Sequence, residues 1–297
     1  MRLAATMALA PLAPMTGAAM PALHPASIAE HRRACAGKDG WGDPAPPVRI
    51  FANVYDIGTC GITVPLIAGD RGAIVIDAAT AAAVPGILAN IRRLGLRPGD
   101  VKLLLASHEH QDHAGGLAAL QRATGARMIA TAAQRAALAS GVPAAADPQR
   151  TGEAPTFAGV RVDRVVRDGA AVTLGTLRLT AHATPAHAPG STSWTWRSCA
   201  GATCRRVAYA DSVSAVAADG YRFADHPAHV GTMRAAIARV AALPCDLIVT
   251  PHPQASDLYA RLEGTRPLAG GAPCRAYADR GRANLEARLR DERQRRR

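Results

Sequence analysis

Four side chains able to bind a metal fall within the run His108-Glu109-His110-Gln111-Asp112-His113. In an extended segment, residues two apart project on the same side, so His108, His110 and Asp112 converge, and His113 joins them where the chain turns into a helix. Three imidazoles and a carboxylate at this spacing form a ligand set for zinc. Two further histidines stand where strands should end: His187 in Thr184-Pro185-Ala186-His187-Ala188-Pro189-Gly190, and His252 in Thr250-Pro251-His252-Pro253. Either one alone would read as structural. Together with the first cluster they supply six ligands, enough for two three-ligand sites that each keep a position open for water, as catalytic zinc requires. His24, His31, His182, His226 and His229 lack comparable settings and read as surface or supporting residues.

Positioning these groups needs strands that stop at them. Val101 to Ala106 is a short run, apolar but for Lys102, the mark of a buried strand, and it delivers the chain directly into Ser107-His108. Ahead of it come strand-like runs Val48 to Ile57, Ile62 to Ala68 and Ala73 to Ile76, then a helix from Ala81 to Leu94 closed by Gly95 and Pro98-Gly99. Ala114 to Ala123 reads as a helix, and Ser140 to Phe157, rich in Pro, Gly and Ala, as a long surface loop. Further strands are expected near Arg164 to Val166, Ala171 to Leu174, Leu177 to Ala183, Thr192 to Arg197, Arg205 to Ala210 and Asp246 to Thr250. Helices are expected from His229 to Leu243 and from about Cys274 onward, while residues 23–47 read as an irregular, stiff arm. Two blocks of strands and helices without a Ser/Gly linker predict one α/β domain, residues 23–297, of two packed sheets covered by helices.

Composition narrows the class. Of 297 residues, 48% are hydrophobic and 20% charged, which excludes disorder over most of the chain, and only 4% are aromatic, so the core must be aliphatic. The net charge of +12 arises from 35 basic and 23 acidic residues. The local excess at Arg288, Arg290, Arg293 and Arg295–Arg297 has no interleaved aromatics and reads as a solvated tail helix, so no nucleic-acid partner is expected. Met1-Arg2, the apolar stretch to Met15 and the small residues before Ala22 read as a signal peptide over residues 1–22. No later stretch is apolar enough to span a bilayer. Six cysteines after such a segment suggest disulfides. A hairpin would join Cys199 and Cys204; Cys35, Cys60, Cys245 and Cys274 leave three connectivities open.

The His-x-His-x-Asp-His run after a strand, the Thr-Pro-x-His loop and the late histidine after another strand resemble the metallo-β-lactamase superfamily. Asn53-Val54-Tyr55-Asp56-Ile57-Gly58-Thr59-Cys60, Thr192-Ser193-Trp194-Thr195-Trp196, Tyr209-Ala210-Asp211-Ser212, Gly220-Tyr221-Arg222-Phe223 and Thr250-Pro251-His252-Pro253 resemble its class B β-lactamases of the third subclass, over about residues 35 to 290. The resemblance implies a four-layer αβ/βα sandwich with two zinc ions at one edge. His108, His110 and His187 would hold the first ion, and Asp112, His113 and His252 the second. Asp112 would also orient the nucleophile; Ser212 would orient water beside the second ion, and Ser214 would bind the substrate carboxylate. Pairing of Cys35 with Cys60 and of Cys245 with Cys274 is implied in the same way. Gln111 departs from a usually apolar position, and Ala186, Ala188 and Ser191 replace residues more often Gly, Thr and Gly. A positive φ at Ala186 would strain the seat of His187.

The implied activity is hydrolysis of the β-lactam amide of penicillins, cephalosporins and carbapenems by a zinc-bound hydroxide, conferring antibiotic resistance; the signal segment implies a periplasmic enzyme, and its oligomeric state is left open with a monomer favoured. A serine β-lactamase would need Ser-x-x-Lys, and neither lysine, Lys38 or Lys102, follows a serine by three. The alternative within the fold is a glyoxalase-like thioester hydrolase or a lactonase, with Asp211 bridging the two metals. From other classes, a nuclease would use the basic charge, and a non-catalytic metal-binding protein would use the ligands alone.

Overall fold

The computed structural model describes residues 22–152 and 154–295; the expected signal segment lies outside them except for Ala22. A seven-stranded sheet runs in chain order: β1 (Val48–Phe51), β2 (Val54–Asp56), β3 (Pro65–Gly69), β4 (Gly72–Ile76), β5 (Val101–Leu105), β6 (Arg127–Thr131) and β7 (Val162–Val166). From β4 onward its neighbours are parallel. A five-stranded sheet has the order β12-β11-β10-β9-β8, built from β8 (Ala171–Leu174), β9 (Leu177–Ala183), β10 (Thr192–Ala200), β11 (Thr203–Tyr209) and β12 (Leu247–Val249).

Alternation along the strands sets the layers. Ile74, Ile76, Leu103 and Leu105 point between the sheets and meet Leu179, Trp194, Val207 and Tyr209. Their neighbours Ala73, Val75 and Leu104 point outward onto α2 (Val84–Arg93), α4 (Leu117–Thr124) and α5 (Ala132–Ser140). Ala208 and Ile248 likewise face α6 (Pro227–Ala241) and α8 (Pro273–Gln294). The expected αβ/βα order follows, and it explains why Leu103 to Ala106 is apolar throughout: both faces of β5 are covered there, while Lys102 at its start is exposed.

Several expectations need correction. The arm over residues 23–47 contains a helix, α1 (Ile28–Ala34), capped by Ser27, whose hydroxyl accepts from the Glu30 N–H at 3.1 Å; the surrounding prolines and glycines hide a sound capping signal. Of the two roles expected for His31, surface or supporting, it has the second: it is buried on that helix with its Nδ1 2.7 Å from the Pro46 carbonyl. The run Val48 to Ile57 is two strands, turned at Ala52, which takes φ 48° without a glycine or proline to announce it. The helix expected at Ala114 is a short turn, α3 (Gln111–Ala114), and then α4, broken at Gly115-Gly116. A Cβ at Gly116 would lie 2.2 Å from the Ala78 carbonyl, so this break lets the chain press against the end of β4. A short helix, α7 (Leu258–Leu262), follows the His252 turn.

All three disulfides implied or derived are present: Cys35–Cys60, Cys199–Cys204 and Cys245–Cys274. Cys199 and Cys204 are direct partners in the β10–β11 ladder, as a hairpin requires. The other two tie the N-terminal arm to the loop after β2, and α8 to the start of β12. Among the described residues, no helix is long and apolar enough to cross a membrane.

Candidate metal centre

The six expected ligands come from loops that follow β5, β9 and β12, and all meet at one edge of the sandwich. The turn after β5 is shaped by Asp77, which the sequence reading overlooked. This buried residue follows β4 at φ 66°, and its carboxylate accepts from the Ser107 N–H and hydroxyl, both at 2.6 Å, and from the Tyr209 hydroxyl at 2.8 Å. It thereby fixes the residue before His108 and links the two sheets. Trp194 adds a second link, its indole N–H donating to the Ala106 carbonyl at 2.9 Å.

In the first set, each histidine is held by one ring nitrogen and turns the other toward a shared space. His108 Nδ1 lies 2.8 Å from Asp211 Oδ1, and its buried Nε2 has no partner. His110 Nε2 lies 2.8 Å from Asp147 Oδ2. His187 Nδ1 is 3.0 Å from both the carbonyl and the hydroxyl of Ser214. The Gln149 amide nitrogen stands 3.4 Å from His110 Nδ1 and 3.1 Å from His187 Nε2, so these two nitrogens face the same space. One ligand atom from each of His108, His110 and His187 lies within 4.8 Å of the others.

The second set is built around a carboxylate. Asp112 Oδ2 is 3.1 Å from His113 Nε2 and 3.3 Å from His252 Nε2, and the two imidazole nitrogens are 3.4 Å apart. His113 Nδ1 lies 3.6 Å from Asp77 Oδ2. His108, Asp112 and His113 also form a tight group, so His108 stands between the two sets. The donors are imidazole nitrogens and one carboxylate, converging with few competing partners; that is the chemistry zinc takes.

Electrostatics separates His108 and His187 from His110 and His113, each of which has a carboxylate partner that raises it. Burial, with the neighbouring His108 and His110, pushes His187 down to about 3. His108 is held well below the ordinary imidazole value by burial and by His113 and His110. For His110 burial also acts downward, but the Asp147 hydrogen bond and charge outweigh it and raise the ring. For His113 burial again acts downward, yet the Asp112 charge and hydrogen bond lift it to about 10. Asp112 is correspondingly held well below the carboxylate range: burial raises it, and His113 and His252 overcome that.

The remaining expectations fall into place around these sets. Gln111 is exposed, which accounts for a polar residue there. Ala186 is buried and is not among the described residues with positive φ, so the seat of His187 is unstrained. Ser191 accepts from the Ala188 N–H at 3.0 Å and closes that turn itself. Ser212 is buried at the head of the loop after β11, and Ser214 is exposed beside His187. Asp211 stands behind His108 rather than between the two sets. Glu109, inside the motif, is buried and accepts from the Gly190 N–H at 2.8 Å, tying the His187 turn to the first cluster; burial raises its carboxyl to about 7. A cavity of about 730 Å³ nearby is lined by Asp147, Arg150, Tyr221 and His226 among others, and by none of the six ligands.

Asp147 and Gln149 were not expected. They lie in the stretch read as a surface loop, where an isolated Asp and Gln carry no spacing signal. The loop is instead anchored, with the Ala218 N–H donating to the Pro148 carbonyl at 2.9 Å.

Residues 57–199 match the Metallo-beta-lactamase superfamily. The crystal structure of the metallo-β-lactamase MIM-1 from Novosphingobium pentaromativorans is 49% identical, with a TM-score of 0.85 over 89% of this chain and 97% of that one. The MIM-2 metallo-β-lactamase is 43% identical, with a TM-score of 0.84 over 91% and 99%. MEM-A1, a subclass B3 metallo-β-lactamase from a soil metagenome library, is 39% identical, with a TM-score of 0.81 over 85% and 98%. With likeness at this level running almost the full length of those proteins, and with the six expected ligands converging as two sets, this chain belongs to the metallo-β-lactamase superfamily and, within it, to subclass B3.

Proposed function

We propose that this chain hydrolyses β-lactam amides as a two-zinc enzyme. The observation that carries the reading is the convergence of His108, His110 and His187 beside Asp112, His113 and His252, with the first three rings each fixed from behind. Bound zinc supplies a water of lowered pKa and a Lewis acid for the carbonyl and the departing ring nitrogen. The protein's own groups do the positioning. Asp112, ionised at neutral pH, is both a ligand and the acceptor that orients the nucleophilic water. Gln149 must withdraw its amide when a cation takes the two nitrogens it now touches, and then stands as a donor at the rim. The exposed Ser214 hydroxyl, beside His187, would meet a substrate carboxylate, while Ser212 is buried at the head of the loop after β11. Neither serine is a nucleophile in this scheme. The thioesterase or lactonase reading wants Asp211 as a bridging ligand, and its hydrogen bond to the far side of His108 counts against that role.

Three disulfides support an oxidising compartment, and with the expected signal segment they support a periplasmic enzyme whose mature part is residues 23–297. The test is turnover of a carbapenem and a chromogenic cephalosporin by the mature protein, with zinc and then with a chelator. Turnover should vanish with chelator and return with zinc, and His252→Ala should lose most of it. No turnover by a protein loaded with two zinc ions would refute the reading.

A further inference from the structure

Two of the three first-set rings are supported by the chain just beyond β11: His108 by Asp211 and His187 by Ser214. His110 is not. Its support, Asp147, comes from the long segment between α5 and β7. The Asp147 side chain is fully buried, and its Oδ2 sits 2.8 Å from His110 Nε2. A carboxylate at that distance accepts the proton of Nε2, which leaves the lone pair on Nδ1, the nitrogen that faces the space shared with His187. Asp147 is itself held: its Oδ1 accepts from the Gln149 N–H at 2.8 Å, its own N–H donates to the Ala144 carbonyl at 2.9 Å, and its carbonyl accepts from the Arg150 N–H at 3.1 Å. The next residue, Pro148, is pinned to Ala218.

We propose that Asp147 is a positioning residue for the first metal site, selecting the His110 tautomer that ligates through Nδ1, and that residues 141–150 are therefore a built part of the metal centre. The inference rests on the two-zinc reading above. Its test compares the mature protein with Asp147→Ala and Asp147→Asn, measuring zinc affinity by competition with a chromophoric chelator and coordination by the absorption of cobalt(II) at each site. In Asp147→Ala one ion should bind roughly 10–100-fold more weakly while the other is little changed. Asp147→Asn keeps an oxygen acceptor without the charge and should fall between that variant and the parent. Parental affinity for both ions in Asp147→Ala would overturn the proposal. A measurement on the unaltered zinc protein does not depend on the variants folding: the His110 ring nitrogens, read by NMR, should show the proton on Nε2, and a proton on Nδ1 would also overturn it. If the parent binds two zinc ions but leaves β-lactams intact, the proposed activity fails and the role of Asp147 stands.

Discussion

The two sheets contribute to the metal centre in different ways. The seven-stranded sheet delivers His108, His110, Asp112 and His113 on one continuous turn, whose geometry is set within that sheet by Asp77, just after β4, holding Ser107. The five-stranded sheet delivers His187 and His252 on two separate loops, and these reach the others only because the sheets are docked. One contribution is a property of a segment, the other a property of the inter-sheet core. Thr192 N–H to the Ser107 carbonyl at 2.7 Å, and Thr63 N–H to the Pro251 carbonyl at 2.8 Å, are where the two meet.

Breaking the docking should therefore have the largest effect. Trp194 is fully buried between the sheets and bonded to Ala106, so Trp194→Ala removes both a large packed ring and the partner of a buried carbonyl. A loss of about 3–5 kcal/mol is expected, read by denaturant unfolding of the zinc-free protein. A variant as stable as the parent would show that the sheets are held by something other than this contact. Breaking the local support should cost less. Asp77→Ala leaves the Ser107 and Tyr209 donors without their acceptor and places Ala at φ 66°; about 2–3 kcal/mol is expected. Zinc affinity should fall with it, since the turn carrying four ligands loses its anchor. Unchanged affinity would mean that the turn holds its shape without Asp77.

The same division explains what could be read before folding. His108 to His113 announced itself because four ligand side chains fall within six positions, and Val101 to Ala106 because a strand covered on both faces is apolar along its covered part, Leu103 to Ala106. His187 and His252 gained meaning only beside that cluster and through the family resemblance, since a single histidine after a strand is ordinary. Asp77, Asp147 and Gln149 had no signal at all: each acts through a partner distant in sequence, and their residue types are common in turns. The fold was legible where period and turn chemistry agreed, as in the Cys199–Cys204 hairpin. It was not where a turn used Ala52, or where Gly115-Gly116 split one apparent helix.

The smallest expected effect sharpens the contrast between the two ligand sets through protons. With no metal bound, His113 lies between the carboxylates of Asp112 and Asp77, and its ring is raised to about 10, so it is protonated throughout the neutral range. An ion entering the second set must displace that proton. Its affinity should then rise with pH by up to about tenfold per unit, equivalent to roughly 1.4 kcal/mol, and level off as pH passes about 10. His187, pushed down to about 3, and His108, held well below its ordinary value, are already neutral near pH 7 and add no slope there. The stability of the metal-free protein should move the opposite way. A histidine whose folded value is raised stabilises fully below its unfolded value, and that contribution is lost as pH rises through the folded value. Zinc-free protein should therefore melt at a lower temperature at pH 10 than at pH 7, while zinc is bound more tightly at the higher pH. Chelator competition at pH 7, 8 and 9 measures the first trend and thermal unfolding the second. A flat affinity profile would mean that the Asp112–His113 pair shares no proton before the metal arrives, and that the two ligand sets differ in shape alone.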